Sequence, residues 1–159
     1  MAIRNIIKYP DPILKEQSKP VTKFNNHLHK LLDDMAETMY DALGVGLAAP
    51  QVAILKRVIV VDVGDGLIEM VNPEIIQRKG EQISPPEGCL SIPNLSGEVR
   101  RSQWIRLRGQ DRHGNPIEME AEGYLARAFQ HEVDHLNGVL FIDVAERVFR
   151  PSEGEEDVD

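Results

Sequence analysis

One cysteine, Cys89, stands among 159 residues, so no disulfide can close within the chain and its stability has to come from a packed core. There is also no apolar run long enough to span a bilayer or to serve as the core of a secretory signal. The opening residues Met1, Ala2, Ile3, Arg4 and Asn5 therefore read as the start of a cytoplasmic protein with no membrane partner. A basic stripe is missing too: the net charge is -8, which excludes the electrostatic footprint of a nucleic-acid binder. Much of that charge sits at one end, where Glu153, Glu155, Glu156, Asp157 and Asp159 accompany Pro151, Ser152 and Gly154 with almost nothing apolar. Such a composition predicts a solvated, mobile tail. Before it there are no internal repeats, linkers or low-complexity segments, and the length suits one domain. The expected division is a folded catalytic domain over 1–147 and an acidic tail over 148–159.

Apolar residues at Leu28, Leu31, Leu32, Met35, Met39 and Leu43 recur at intervals of three and four, which predicts an N-terminal amphipathic helix between Asn25 and Gly44. Asn25 is its candidate N-cap and Gly44 its candidate stop. His27 and His29, in the first turn among polar residues, are expected to face solvent. Arg57 to Val63 is a β-branched run and reads as a buried strand, turned by Gly64, Asp65 and Gly66 into a partner over Leu67 to Val71. Further strands are expected at Glu74 to Arg78, Trp104 to Gln110 and Ile117 to Ala121, the last two joined by the turn "DRHGNP", in which His113 is a bystander. A second helix over Tyr124 to Asn137 stops at Gly138. Hairpin-like joins without βαβ alternation predict an α+β fold, antiparallel strands packed around a central metal-binding helix, with the amphipathic helix near the N-terminus.

That second helix carries the chemistry. In "HEVDH" the imidazoles of His131 and His135 fall ~40° apart on one helix face and roughly 6 Å apart along its axis, so one metal ion can bridge them. The apolar positions Leu125, Ala128, Phe129 and Leu136 define the inward stripe, and Glu132 lies on it. An inward carboxylate costs about 1 to 3 kcal/mol unless something polar awaits it. H-E-x-x-H alone is short enough to arise by chance, so a third ligand decides the matter. The histidine of metzincin-type proteases is replaced here by Phe141, which binds no metal. A downstream acidic ligand of the thermolysin kind would have to come from Glu146 or the tail. Cys89, in the stiff loop "PPEGCLSIP", is the remaining source; read blandly it is a small buried hydrophobe. With His131 and His135 it leaves one tetrahedral position free for water, the arrangement of a catalytic site.

Glu132, rotated roughly 100° from His131, would overhang that water and shuttle its proton, with a proton affinity raised by desolvation. Gln51, after the loop "GVGLAAPQ", offers a neutral amide donor for an oxyanion; read blandly, Gly44 and Gly46 make a helix stop and turn, and Gln51 is a surface amide.

"GVGLAAPQ" at 44–51, "EGCLS" at 87–91 and "HEVDH" at 131–135 together resemble the three signature motifs of the peptide deformylases, in order and with similar separation. The likeness extends from "YPDPIL" at 9–14 to "GVLFID" at 138–143. It implies an α+β fold and a metal-dependent hydrolase that takes the formyl group from the N-terminal formylmethionine of nascent polypeptides. The resemblance makes Cys89, His131 and His135 the metal ligands, Glu132 the acid-base residue, and Gln51 with the backbone N–H of Leu90 the oxyanion donors. Val45 and Gly88 match positions that hold the peptide extended, and Gly46 a structural glycine near the site. Fe²⁺ is the implied ion, and a mixed sulfur and nitrogen set also accepts Zn²⁺, Ni²⁺ or Co²⁺. The substrate partner is an N-formylmethionyl peptide, compatible with transient association with the ribosome. Some members end in a long helix where this chain has "RVFRPSEGEEDVD", so no role of that helix transfers; which of Arg100 and Arg101 approaches substrate stays open. Two other readings are an HExxH zinc endopeptidase, which would survive loss of Cys89, and a non-catalytic metal-binding module, which would release no formate.

Overall fold

The computed structural model describes residues 2–150. Its elements are α1 (Asn26–Asp41), β1 (Gly46–Ala48), β2 (Val58–Val61), β3 (Ile68–Lys79), β4 (Glu87–Cys89), β5 (Ile92–Glu98), β6 (Trp104–Gln110), β7 (Pro116–Glu122), α2 (Gly123–Leu136), α3 (Phe141–Val144) and β8 (Arg147–Phe149), with 3-10 turns at Pro12–Lys15 and Ala49–Val52. Five strands form a sheet in the order β1-β2-β3-β6-β7 and three more a sheet in the order β4-β5-β8, every named pair antiparallel. The α+β expectation is met. No helix among the described residues is long and apolar enough to cross a membrane.

β2 shows how the layers arise. Side chains alternate across a strand, so Val58 and Val60 point to one face of the large sheet while Ile59 and Val61 point to the other. Both sets are fully buried. The first meets Leu28, Leu32, Met35 and Met39 of α1, and the second meets Phe129, Val133 and Leu136 of α2. A third apolar group, Leu14, Ile92, Val99, Leu140 and Phe141, lies beneath the small sheet.

Asn25 caps α1 by accepting from the Leu28 N–H at 3.2 Å. Its other end differs from expectation. Leu43, not Gly44, takes the left-handed conformation (φ 59°), and the closing bonds run from Leu43 N–H to the Tyr40 carbonyl and from Gly44 N–H to that of Met39. Gly44 is small for another reason: a Cβ there would sit 2.7 Å from Leu90 Cδ1. The two segments expected on either side of Asn72 and Pro73 are one strand, β3, with a bulge between Val71 and Glu74 that absorbs the proline. "PPEGCLSIP" is no loop but the hairpin of β4 and β5. His27 is exposed as expected, whereas His29 is half-buried, with Nε2 2.8 Å from the Arg112 carbonyl oxygen and its ring edge-on to exposed His113. Arg147–Phe149 pairs with β5, two residues past the boundary drawn at 147, and residues 151–159 of the acidic stretch lie outside the described residues.

Candidate active site

α2 runs under the large sheet with His131, Glu132 and His135 on buried positions, and β4 delivers Cys89 to the same place from the small sheet. One ligating atom from each of Cys89, His131 and His135 lies within 4.8 Å of the others. Cys89 Sγ is 3.2 Å from His135 Nε2. Cys89 and His131 border a cavity of about 380 Å³ whose walls come from Leu43 to Gly46, Gln51, the β4–β5 hairpin and the Tyr124, Arg127, Ala128 and His131 face of α2.

Glu132 is 4% exposed, and its Oε1 has no donor among the described residues. Desolvation in this pocket pushes its pKa up to about 7, against the opposing pull of His131. Gly46 gives it room: a Cβ at that position would stand 2.9 Å from Glu132 Cδ and closer still to Oε2. Gln51 is no surface amide. Buried in the 3-10 turn after β1, it accepts from the Ala48 N–H at 3.0 Å through Oε1, which turns Nε2 toward Ser91 Oγ at 3.1 Å and Cys89 Sγ at 3.6 Å.

The sequence reading missed Glu87. This buried carboxylate accepts from Arg101 at 2.8 and 2.9 Å, from Arg127 at 2.7 Å and from His131 Nδ1 at 2.9 Å. Burial opposes its ionisation, but Arg101 and His131 hold its pKa down at about 2. By bonding Nδ1 it leaves the His131 ring oriented by its far nitrogen toward the cluster. The partners are 14 to 44 residues away in sequence, so no local signal marks them. Phe141, which stands where a metzincin would have its third histidine, stacks on the His131 ring at 6.1 Å. Arg100 pairs at the surface with Glu81 and with Glu146, the downstream acid considered for an endopeptidase, while Arg101 is buried on Glu87 and Asp134. Neither arginine lines the cavity.

The donor set fits a divalent ion. Burial, then the neighbouring His131, drives the pKa of His135 well down and keeps it in the neutral, ligating form. Burial also opposes charge on His131, yet contacts with Cys89 and Glu87 outweigh it and raise its pKa well above the usual imidazole value. A thiol and two imidazoles suit transition metals rather than Mg²⁺ or Ca²⁺.

The family model for polypeptide deformylases matches residues 3–150. The chain belongs to that family. It is 56% identical over 148 residues to the peptide deformylase of Pelotomaculum thermopropionicum, covering 93% of this chain and 95% of that one, and 58% identical over 143 residues to that of Caldanaerobacter subterraneus, covering 90% and 89%. The crystal structure of peptide deformylase from Thermotoga maritima superposes with a TM-score of 0.90 at 47% identity, over 92% of this chain and all of that one. The protein is thus a hydrolase of the N-formyl amide that removes the formyl group from nascent peptides, and deformylases are metal-dependent. All nine residues singled out from the sequence are gathered here: Val45, Gly46, Gln51, Gly88, Cys89, Leu90, His131 and Glu132 line the cavity, and His135 completes the ligand cluster.

Proposed function

We propose that α2 is the central metal-bearing helix of this deformylase, α1 the amphipathic helix that backs its sheet, and Cys89, His131 and His135 the residues that hold one divalent ion. Fe²⁺ is assigned as the native ion, with Zn²⁺, Ni²⁺ and Co²⁺ as the alternatives the donor chemistry admits. What such an ion supplies is Lewis acidity, acidifying the attacking water and polarising the formyl oxygen. Glu132 takes the proton from that water and passes it to the nitrogen of the leaving amine, a task suited to a carboxylate whose pKa lies near neutrality. Gln51 Nε2 and the Leu90 N–H donate to the formyl oxygen as it gains charge, and the Ala48 contact fixes the Gln51 amide beforehand. Val45, Gly46 and Gly88 border the path of the extended peptide. Formate and a free amino terminus are the products. The catalytic domain is the body of the chain, 1–147 continued by β8. The setting is the cytoplasm, with transient ribosome contact and no recognition of nucleic acid.

The observation that carries this reading is the meeting of one sulfur and two imidazole nitrogens within 4.8 Å beside a buried carboxylate. Metal analysis and formate release on a formyl-Met peptide test it together. Glu132→Ala should retain its ion and lose at least a hundredfold in turnover, the lower range for a general acid-base group, while Cys89→Ala should lose the ion. Full turnover in the first variant, or an undiminished metal content in the second, would remove the assignment.

A further inference from the structure

Residues 7–9 form neither helix nor strand and none of them lines the cavity, yet each hydrogen-bonds an element that carries an oxyanion donor. The Ile7 N–H donates to the Gln51 carbonyl at 2.7 Å and the Tyr9 N–H to the Ser91 carbonyl at 2.8 Å. Between them Lys8 Nζ reaches the Leu90 carbonyl at 3.3 Å. The segment is held at both ends. Upstream, Arg4 donates its N–H to Thr38 Oγ1 at 2.9 Å and its side chain to Asp34, both on α1. Downstream, Asp11 accepts from the Ile13 N–H at 3.0 Å, and Leu14 is fully buried in the apolar group beneath the small sheet. Lys8 and Tyr9 are exposed, so burial does not account for their placement; what they supply is hydrogen bonds to Leu90 and Ser91.

Those targets stand on different sheets. Gln51 lies in the 3-10 turn that follows β1 of the large sheet, and Leu90 and Ser91 form the turn between β4 and β5 of the small one. Among the described residues no backbone hydrogen bond joins the two elements directly. The direct link runs through the Gln51 amide on Ser91 Oγ, and that amide is itself one of the donors. Two donors serve one oxyanion only if both reach it at about 2.7–3.1 Å, so their separation has to be set by something other than the donors. We propose that residues 7–9 are a positioning strap for deformylation, holding Gln51 and Leu90 at the separation one oxyanion requires, with Lys8 as the side chain that ties down Leu90. The strap acts through Gln51, Leu90 and Ser91 and not on the substrate. The inference rests on the assignment of Gln51 and Leu90 as the oxyanion donors and adds the element that spaces them.

Its test is kcat and KM for formate release from formyl-Met-Ala-Ser by the Ni²⁺-loaded enzyme, with metal content and Tm measured alongside. Lys8→Met, which keeps the stem and removes the donor, should lower kcat by about three- to tenfold, the worth of one hydrogen bond, at unchanged KM, metal content and Tm. Lys8→Arg should restore it. Tyr9 incorporated as its α-hydroxy acid, with an ester oxygen in place of the N–H and the side chain intact, should lower kcat by a similar factor. In a Gln51→Ala background only one donor is left to place, so either change should cost less than about twofold. Losses that multiply in full in that background overturn the inference, because the strap would then be acting elsewhere. Wild-type kcat in both strap variants overturns it too, as does a loss in Lys8→Met that follows KM, metal content or Tm. Gln51→Ala itself should lower kcat at least about a hundredfold. If it does not, the oxyanion assignment fails and the inference with it, whereas that loss beside unaffected strap variants overturns the strap alone.

Discussion

Glu87→Gln removes the one anion that joins two buried arginines to the His131 ring. In the native protein Arg101 keeps a second partner, Asp134 at 2.6 Å, but Arg127 has only Glu87 and the Val99 carbonyl at 3.2 Å, with its Nε and Nη2 unpartnered. Arg127 is 2% exposed, so the substitution strands a guanidinium where water cannot reach it. Breaking a buried pair from one side costs about 3–5 kcal/mol, against a total stability of roughly 5–15 kcal/mol for a domain of this kind. At about 2–4 °C per kcal/mol for a chain of this length, Tm should fall by about 6 to 20 °C. The same change deprives His131 Nδ1 of its carboxylate, and loss of such a partner lowers metal affinity by about 10- to 100-fold. Thermal unfolding and a chelator competition read the two effects separately. The double variant Glu87→Gln, Arg127→Met separates them further: deleting the stranded charge should restore much of the stability but none of the metal affinity. A Tm within 2 °C of wild type for Glu87→Gln, or recovery of metal affinity in the double variant, would refute this account of the network.

Gly46→Ala should keep its ion and lose at least about tenfold in formate release, because its Cβ would displace the Glu132 carboxylate and not the ligands; equal rates, with metal content measured alongside, would show that Glu132 has slack to move. Asp34 gives a pH-dependent outcome. Burial opposes its ionisation, but the Ala2 N–H at 2.7 Å and the Arg4 side chain at 3.0 Å outweigh that and lower its pKa. A depressed carboxylate contributes stability above its unfolded value, near 3.9, and that contribution disappears as pH falls through the folded value. In urea unfolding, Asp34→Asn should therefore trail wild type at pH 7 and approach it below about pH 4, whereas a constant gap would mean that charge is not what Asp34 contributes.

Periodicity made both long helices legible. The three- and four-residue spacing of α1 and the inward stripe of α2 are local patterns, and burying those stripes is what stabilises the helices. Residue type singled out the candidate ligand set, since few side chains bind transition metals and the chain has one thiol and one H-E-x-x-H pair. β4 and β5 were not legible, because short strands that contain Pro, Gly and Ser are strands only by virtue of their partners, and neither was β8, three residues that are a strand only through pairing with β5; β3 looked broken at Asn72 because a bulge that accommodates proline cannot be seen until the opposite strand is in place. Helix termination at Leu43 escaped for a related reason: a left-handed leucine defies the local rule that places glycine there. Glu87 is the sharpest case. Taken alone it is one acid among many, and its charge, burial and hold on His131 exist only once Arg101 and Arg127 are folded over it. Sequence by itself determined which atoms could bind a metal and which faces would be buried, since both are properties of residue type and short spacing. Tertiary structure alone decided how those atoms are aimed, what charge they carry and what surrounds them, because desolvation and long-range pairing belong to the packed chain and to no segment of it.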